Sequence, residues 1–193
     1  MSINLELQYI KIKDEDYKKA MDIGGQISGN KKSYKTTQNL VSGRKSTHQL
    51  GLLANIIRSY ATGIPVDYSI KKGGDQGFDF LYGESTFDDK AATFIKSPDL
   101  KEFPKNSQTG SYTKTSYAGI YHLIALNEKE QSGAIVGWAT HEQVHSAPLK
   151  NYGYGPRRCL SWYDFVTLNQ TGLHPSLPKQ NDFKVSYIDI LLK

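Results

Sequence analysis

Large apolar residues and acids flank a Gly-Glu pair in the segment FDFLYGESTFDDKA, residues 78–91. This segment is predicted to form a β-hairpin, in which successive side chains of each strand point to opposite faces. Gly83 and Glu84 suit a two-residue type II′ turn, which prefers glycine at its first central position. The predicted hairpin has one aromatic face and one charged face.

The register of this hairpin opposes like charges. The turn pairs Phe80 with Phe87 and Asp79 with Asp88, and it places Lys90 on the same face as the two acids. Opposed residues have Cβ atoms about 4.5–5.5 Å apart, so the two carboxylates repel each other unless a cation lies between them. The pattern indicates either a divalent metal site or a hairpin whose charged face meets water, and the spacing alone leaves both open.

Asp89 does not fit this register. It falls on the aromatic face, where an unpaired charge is costly. We therefore expect either that Asp89 lies at the edge of the sheet or that the hairpin bulges there.

Hydrophobic periodicity and capping signals predict an alternation of strands and helices along the rest of the chain. Strands are predicted at 3–13, 117–127, 132–140 and 183–192, and helices at 14–25, from Ser46 or Thr47 to about Tyr60, and from the capping box of Thr140 and Gln143. In the helix that ends near Tyr60, the helical wheel places Asn55 and Arg58 opposite the apolar face. Segment 150–159 reads as irregular. The order of elements, without repeats or an interdomain linker, predicts an α/β fold in a single domain over residues 1–193.

Composition narrows the class of protein. With 38% hydrophobic and 22% charged residues, the 193-residue chain suits one globular domain. No run approaches the roughly 18–20 apolar residues of a membrane helix, and the N-terminus lacks the pattern of a signal peptide. The single cysteine, Cys159, excludes an internal disulfide framework and a multi-cysteine metal site. We therefore expect a cytoplasmic protein that does not associate with membranes.

Basic residues are concentrated in two stretches of a chain with a formal net charge of +5. Residues 24–45 are rich in Gly, Ser, Asn, Lys and Thr and are predicted to form a flexible basic loop. A second stretch without acids spans residues 143–163. The candidate contacts to a DNA backbone are Lys31, Lys32, Lys35, Arg44, Lys45, Arg157 and Arg158. Solvated loops are the alternative, which the sequence leaves open.

The charged face of the hairpin resembles the active-site hairpin of the PD-(D/E)xK nuclease superfamily. Asp79 matches the first metal-binding Asp, Asp88 the (D/E) and Lys90 the Lys, and the lead-in GGDQGFDF resembles a glycine-rich segment that precedes this motif. Matching segments extend over about residues 46–175. The resemblance implies an α/β fold with a restriction-endonuclease-like central mixed β-sheet flanked by helices.

The same resemblance implies a metal-dependent deoxyribonuclease that uses Mg²⁺, for which Mn²⁺ would substitute. Asp79 and Asp88 would hold the metal, with Asp89 as a further ligand through its backbone carbonyl. Lys90 would position or activate the attacking water. Asp75, in the lead-in, would be an auxiliary ligand or a turn former.

Asn55 departs from the pattern of the superfamily. It stands where many of these enzymes carry a helical Glu that assists metal binding. An amide oxygen can coordinate a cation or hold a water but brings no charge. Asn55 would therefore bind a metal more weakly than a Glu at this position, which leaves open whether one metal or two would bind.

These features make DNA the expected partner and the nucleoid or a phage-infected cell the expected setting. Cutting of both strands would favour a homodimer with two-fold symmetry. Two other classes stay open: a DNA-binding or structural protein on the same scaffold with a weakened site, and an interaction module whose basic stretches contact an acidic partner.

Overall fold

The computed structural model describes residues 2–30, 47–69, 77–94, 118–151, 156–160, 162–180 and 185–191. Within these ranges the chain forms β1 (Ser2–Lys11), α1 (Asp14–Asn30), α2 (Thr47–Thr62), β2 (Phe80–Tyr82), β3 (Ser85–Phe94), β4 (Ile120–Asn127), β5 (Ser132–Thr140), α3 (His141–Ser146), β6 (Leu149–Asn151), β7 (Pro156–Arg158), α4 (Trp162–Thr167) and β8 (Val185–Leu191).

Six strands form one mixed sheet in the order β2-β3-β4-β5-β1-β8. The β3–β4 pair is parallel, while the other neighbours are antiparallel. Helices pack on the sheet, so the predicted α/β class with a central mixed sheet and flanking helices is confirmed. The segment predicted to be irregular at 150–159 differs, because β6 and β7 pair there as a separate two-stranded sheet.

β4 is buried along its whole length because helices cover both faces of the sheet. On one face, Tyr121 and Leu123 belong to a core that also contains residues of α3 and α4. On the other face, Ile124 and Leu126 join a core built with α1 and α2. A strand buried on both sides is nearly continuously apolar, as the sequence IYHLIALN shows, and its one strongly polar interior residue, His122, therefore needs an explanation.

The first helix is longer than predicted. The Gly24-Gly25 pair was predicted to end it and to begin a flexible loop at residue 24, but α1 continues to Asn30, so this prediction is wrong for residues 24–30. Gly24 is buried where α1 crosses α2, and a Cβ on it would lie 2.7 Å from the Cα of Gln49. This glycine serves the close approach of two helices. Predicted loop residues 31–45 lie outside the described residues.

The close approach of α1 and α2 leads us to expect opposite effects of alanine substitution at two adjacent glycines. Gly24→Ala forces the helices apart and is expected to destabilise the fold by about 1–3 kcal/mol. Gly25→Ala, whose Cβ would meet only the Gln49 side chain at 3.9 Å, is expected to be neutral or to stabilise by up to about 1 kcal/mol through helix propensity. Urea unfolding of both variants measures the two free energies of unfolding. Equal destabilisation by the two substitutions would contradict the inference that Gly24 is needed for the close approach of the helices.

Asn55 and Arg58 of α2 do not face solvent, contrary to the prediction from the helical wheel. Both residues are buried, with exposed fractions of 9% and 1%, so the wheel was wrong about their surroundings. The cause is that α2 is covered by α1 on one side and by β3, β4 and β5 on the other. A charged residue at such a position requires a partner in the interior.

Among the residues that the structure describes, no helix is long and apolar enough to cross a membrane.

Candidate active site

The predicted hairpin forms, and its register is the predicted one from Phe80 to Ser85, but the predicted pair of Asp79 and Asp88 is not part of the ladder. β2 pairs with β3 through Phe80 and Phe87 and through Tyr82 and Ser85. Gly83 adopts a φ of +59° at the first central position of the turn, as a type II′ turn requires. The rings of Phe80 and Phe87 stack with their centroids 4.8 Å apart, so the predicted aromatic face is confirmed.

Asp79 extends the hairpin by one residue beyond β2. Its backbone N–H donates to the Phe87 carbonyl oxygen at 2.8 Å. Its side chain then accepts, through Oδ2, a hydrogen bond of 2.7 Å from the backbone N–H of Asp89. The Asp79 carboxylate therefore takes the place that a further β2 residue would have in the ladder, beside the β3 residues 88–90.

Asp88 and Lys90 form an ion pair on the same face of β3. The Lys90 Nζ lies 2.5 Å from Asp88 Oδ2, and the Lys90 side chain is 32% exposed. Burial lowers the pKa of Lys90, but the nearby carboxylates of Asp88 and Asp79 outweigh it and raise the pKa above its ordinary value. Lys90 is therefore a cation at neutral pH and not a base.

Asp79 lies in a strongly acidic environment. Burial raises its pKa well above the ordinary carboxyl value, and the negative charges of Asp88 and Asp89 raise it further, while the Asp89 N–H and Lys90 oppose the shift. Asp79, Asp88 and Lys90 thus lie close together at one edge of the sheet, although Asp79 is not paired with Asp88 in the ladder. The local excess of negative charge is of the kind that a bound divalent cation relieves.

The side chain of Asp89 points to the opposite face of β3. Its Oδ2 lies 3.1 Å from the Arg58 Nε and its Oδ1 lies 3.0 Å from the His122 Nδ1. Asp89 lies beyond the last β2–β3 pair, at the edge of the sheet as the first of the two expectations had it. Its side chain nevertheless points inward, where two interior partners compensate its charge. Arg58 and His122 were not predicted as site residues, although a charge on the aromatic face was a signal that a cationic partner must exist.

The oxygen ligands at this edge suit a hard cation. Asp79 and Asp88 supply carboxylates, and the Asp89 carbonyl points to the same side as the Phe87 carbonyl that receives the Asp79 N–H, because residues two apart along a strand point alike. In the described part of the chain, no group of three or more His, Cys, Asp or Glu side chains is arranged to hold a metal. Two carboxylates and a carbonyl are donors of the kind that Mg²⁺ uses, since it binds through one or two carboxylates and keeps several waters.

Asn55 faces the protein interior one helical turn before Arg58. Its Oδ1 is buried and, within the described residues, has no hydrogen-bond partner. A buried amide oxygen without a partner is costly. Asn55 lies on α2, which packs on the face of β3 that carries the Asp89 side chain, opposite the side chains of Asp88 and Lys90, so the auxiliary role predicted for Asn55 stays a prediction.

The structure describes few of the predicted DNA-binding residues. Asp75 and the cations of the first basic stretch, Lys31, Lys32, Lys35, Arg44 and Lys45, lie outside the described residues, as does the side chain of Arg157. Arg158 is half-buried and donates from Nη1 to the Ala147 carbonyl oxygen at 2.9 Å. That bond gives Arg158 a role in holding β7 against the end of α3.

Two histidines of α3 stack on each other near the same face of the sheet as Asp88. The ring centroids of His141 and His145 are 4.0 Å apart, and His141 lies 6.3 Å from the ring of Tyr121, the β4 neighbour of Asp88. The His141 Nδ1 is 3.0 Å from the Ala118 carbonyl oxygen. Burial, then His141 and Arg158, lower the pKa of His145, so it is neutral at pH 7.

Comparison of this chain with protein-family models, with characterised proteins and with solved structures finds no match in any of the three.

Proposed function

We propose that this protein is a metal-dependent deoxyribonuclease that hydrolyses phosphodiester bonds at the edge of the sheet formed by β2 and β3. The observation that carries the proposal is the meeting of Asp79, Asp88 and Lys90: an ion pair of 2.5 Å between the last two and an Asp79 carboxyl whose pKa responds to both. The restriction-endonuclease-like form of the fold belongs to the same proposal and is supported by the mixed sheet and the position of this hairpin within it.

Asp79 and Asp88 would hold Mg²⁺, together with the Asp89 carbonyl. The bound ion supplies Lewis-acid stabilisation of the charge that develops on the phosphate oxygens. Mn²⁺, a divalent cation that also prefers carboxylate and water ligands, would substitute. A Mg²⁺ site of two carboxylates and one carbonyl leaves the remaining positions to water and to the substrate phosphate.

Lys90 contributes as a cation. While Asp88 holds the ammonium group at 2.5 Å, the pair neutralises part of the acidic cluster. If Asp88 held the cation, this contact would weaken, and the ammonium group of Lys90 would be free to face the scissile phosphate. There it can orient the attacking water and stabilise the phosphate charge while water attacks phosphorus in line and the opposite P–O bond breaks.

DNA is the proposed substrate because the formal net charge of +5 and the acid-free basic stretches favour a polyanion. The charges around the hairpin alone would repel one. Basic segments outside the site are therefore needed to bring the phosphate backbone to the acidic edge.

The direct test is incubation of the purified protein with supercoiled, linear and branched DNA, with Mg²⁺ or with a chelator. We expect cleavage only with the metal. Lys90→Ala is expected to lower the cleavage rate by about 100- to 1,000-fold with little effect on folding. Lys129→Ala, which removes the same charge from an exposed turn beyond β4, is the matched control and should cleave like the wild type.

Absence of cleavage by the wild type on every DNA form would contradict the proposal. A gel shift would then separate the remaining classes. Binding to DNA that weakens steeply with salt would indicate a DNA-binding protein on this scaffold, and the absence of binding would indicate an interaction module with another acidic partner.

A further inference from the structure

Asp89 is held from two different elements on the face of β3 opposite the candidate active site. Arg58 of α2 and His122 of β4 each bind one carboxylate oxygen, at 3.1 and 3.0 Å. We call this set of three residues, which are 1%, 4% and 0% exposed, the Asp89 clamp. Burial of an ion pair costs solvation energy, and such a pair is weak evidence for stability alone, so its presence here calls for another reason.

Arg58 fixes more than the carboxylate. Its Nη1 donates to the carbonyl oxygen of Ile64 at 2.6 Å, and its guanidinium group lies 4.1 Å from the centre of the Phe80 ring. One side chain therefore joins the turn after α2, the first residue of β2 and the middle of β3. This arrangement ties the position of the hairpin to that of the helix.

His122 fixes the other side of the clamp. Its ring stacks on Phe87 with centroids 5.6 Å apart, and its Nδ1 is oriented toward Asp89. A carboxylate can only accept, so the Nδ1 carries the proton and donates. The Nε2 is buried and, in the described part of the chain, has no partner. Packing and one hydrogen bond thus set the ring.

Asp89, whose side chain is held by the clamp, also faces the candidate site with its main chain. The Asp89 N–H donates to Asp79 Oδ2 at 2.7 Å, its carbonyl is the third proposed metal ligand, and its neighbours in sequence are Asp88 and Lys90. A rotation of the main chain at Asp89 would move all of these groups together.

We propose that Arg58 and His122 are positioning residues for the metal site, acting through Asp89 to hold the β3 main chain in the orientation that presents its carbonyl and flanking side chains to the cation. This inference rests on the proposed function. Partners of this kind, which orient ligands without touching the metal, typically contribute about 10- to 100-fold in metal affinity or activity.

The test compares two substitutions of His122. His122→Asn retains an N–H near the position of Nδ1, and His122→Leu removes the donor while keeping an apolar side chain of similar bulk. Calorimetric titration with Mg²⁺ in the absence of DNA measures the Kd. We expect about 10- to 100-fold weaker binding by His122→Leu and at most a small change in His122→Asn. In cleavage assays of His122→Leu at saturating Mg²⁺, we expect a decrease in kcat that is larger than any change in the KM for DNA.

A control variant that is destabilised as much as His122→Leu separates a positioning role from general destabilisation of the fold. Leu126→Ala lies four residues further along β4, in the core that contains α2. It should lower the Tm at least as much as His122→Leu while leaving the Mg²⁺ Kd unchanged. Equal weakening of Mg²⁺ binding by Leu126→Ala and His122→Leu would overturn the inference.

The remaining outcomes are also distinguishable. If the wild type binds no Mg²⁺ and cuts no DNA, the proposed function itself fails. If the wild type binds Mg²⁺ and His122→Leu binds it equally well, only the positioning role fails. Should His122→Leu not fold, Arg58→Lys replaces it, because a lysine cannot span Asp89 and the Ile64 carbonyl at once. Wild-type Mg²⁺ affinity in that variant overturns the inference.

Discussion

Asp79→Asn is expected to abolish DNA cleavage and, in the absence of metal, to make the protein more stable than the wild type. The cleavage rate should fall by about 100- to 1,000-fold or more, because the substitution removes one of two carboxylates that would hold the cation. The asparagine side chain retains an oxygen that can accept the Asp89 N–H, so the local main chain should not move.

The gain in stability follows from the direction of the pKa shift. Burial and the charges of Asp88 and Asp89 raise the pKa of Asp79 in the folded state above its unfolded value. The folded state then binds a proton more tightly than the unfolded state, so stability falls as pH rises from the unfolded pKa to the folded one. At neutral pH without metal this raised pKa therefore lowers the stability of the fold, and asparagine removes that cost.

Thermal unfolding with and without Mg²⁺ measures both effects. In chelator, Asp79→Asn should melt above the wild type, and the difference should shrink as the pH is lowered. Mg²⁺ at about 100 times its Kd should stabilise the wild type by about 2.7 kcal/mol, or about 5–10 °C for a chain of this size, and should leave Asp79→Asn unchanged. The matched control is Glu84→Gln, an exposed acid at the tip of the same hairpin. A variant that still cleaves DNA, or one stabilised by Mg²⁺ like the wild type, would contradict the assignment.

Arg58→Met is expected to be among the most destabilising single substitutions in this protein. It leaves the Asp89 carboxylate, whose side chain is fully buried, with His122 as its one remaining partner. Removing one member of a buried pair costs about 3–5 kcal/mol, which corresponds to a Tm lower by about 6–20 °C.

A double-mutant cycle identifies the cause of that loss. Arg58→Met combined with Asp89→Leu removes both charges, and apolar replacement of a buried pair is often neutral, so most of the lost stability should return. Arg158→Met is the control: that half-buried arginine donates to one backbone carbonyl, and its loss should cost at most about 1.5 kcal/mol. If the two single substitutions were additive in the double variant, the Arg58–Asp89 pair would not be the source of the effect.

The local features of the candidate site could be predicted from the sequence because they depend on local patterns. The turn signal of Gly83 and Glu84 indicated the hairpin and its register from Phe80 to Ser85, and the signature of Thr140 and Gln143 indicated the start of α3, whose capping box is present. The two long strands β4 and β5 were equally visible as apolar runs. In each case the residues that determine the element lie within a few positions of one another.

The elements that were missed depend on contacts between distant segments. Gly24 looked like a helix terminator, but the position of Gln49 on α2 makes it a packing residue. The wheel assigned Arg58 to a polar face because the sequence does not show that β3 would cover that face. The partners of Asp89 are 31 and 33 residues away along the chain, so the sequence indicated the need for a countercharge without indicating its source.

The central claim is that Asp79, Asp88 and the Asp89 carbonyl share one divalent cation. The most direct measurement is a crystal structure of the protein grown with Mn²⁺, with anomalous scattering recorded to locate the metal. We expect one peak at the edge between β2 and β3, within roughly 2.0–2.6 Å of oxygens from both carboxylates, the range of hard cation–oxygen bonds. A Mn²⁺ position elsewhere in a protein that cleaves DNA, or carboxylates at this edge that stay without metal at saturating Mn²⁺, would contradict the claim.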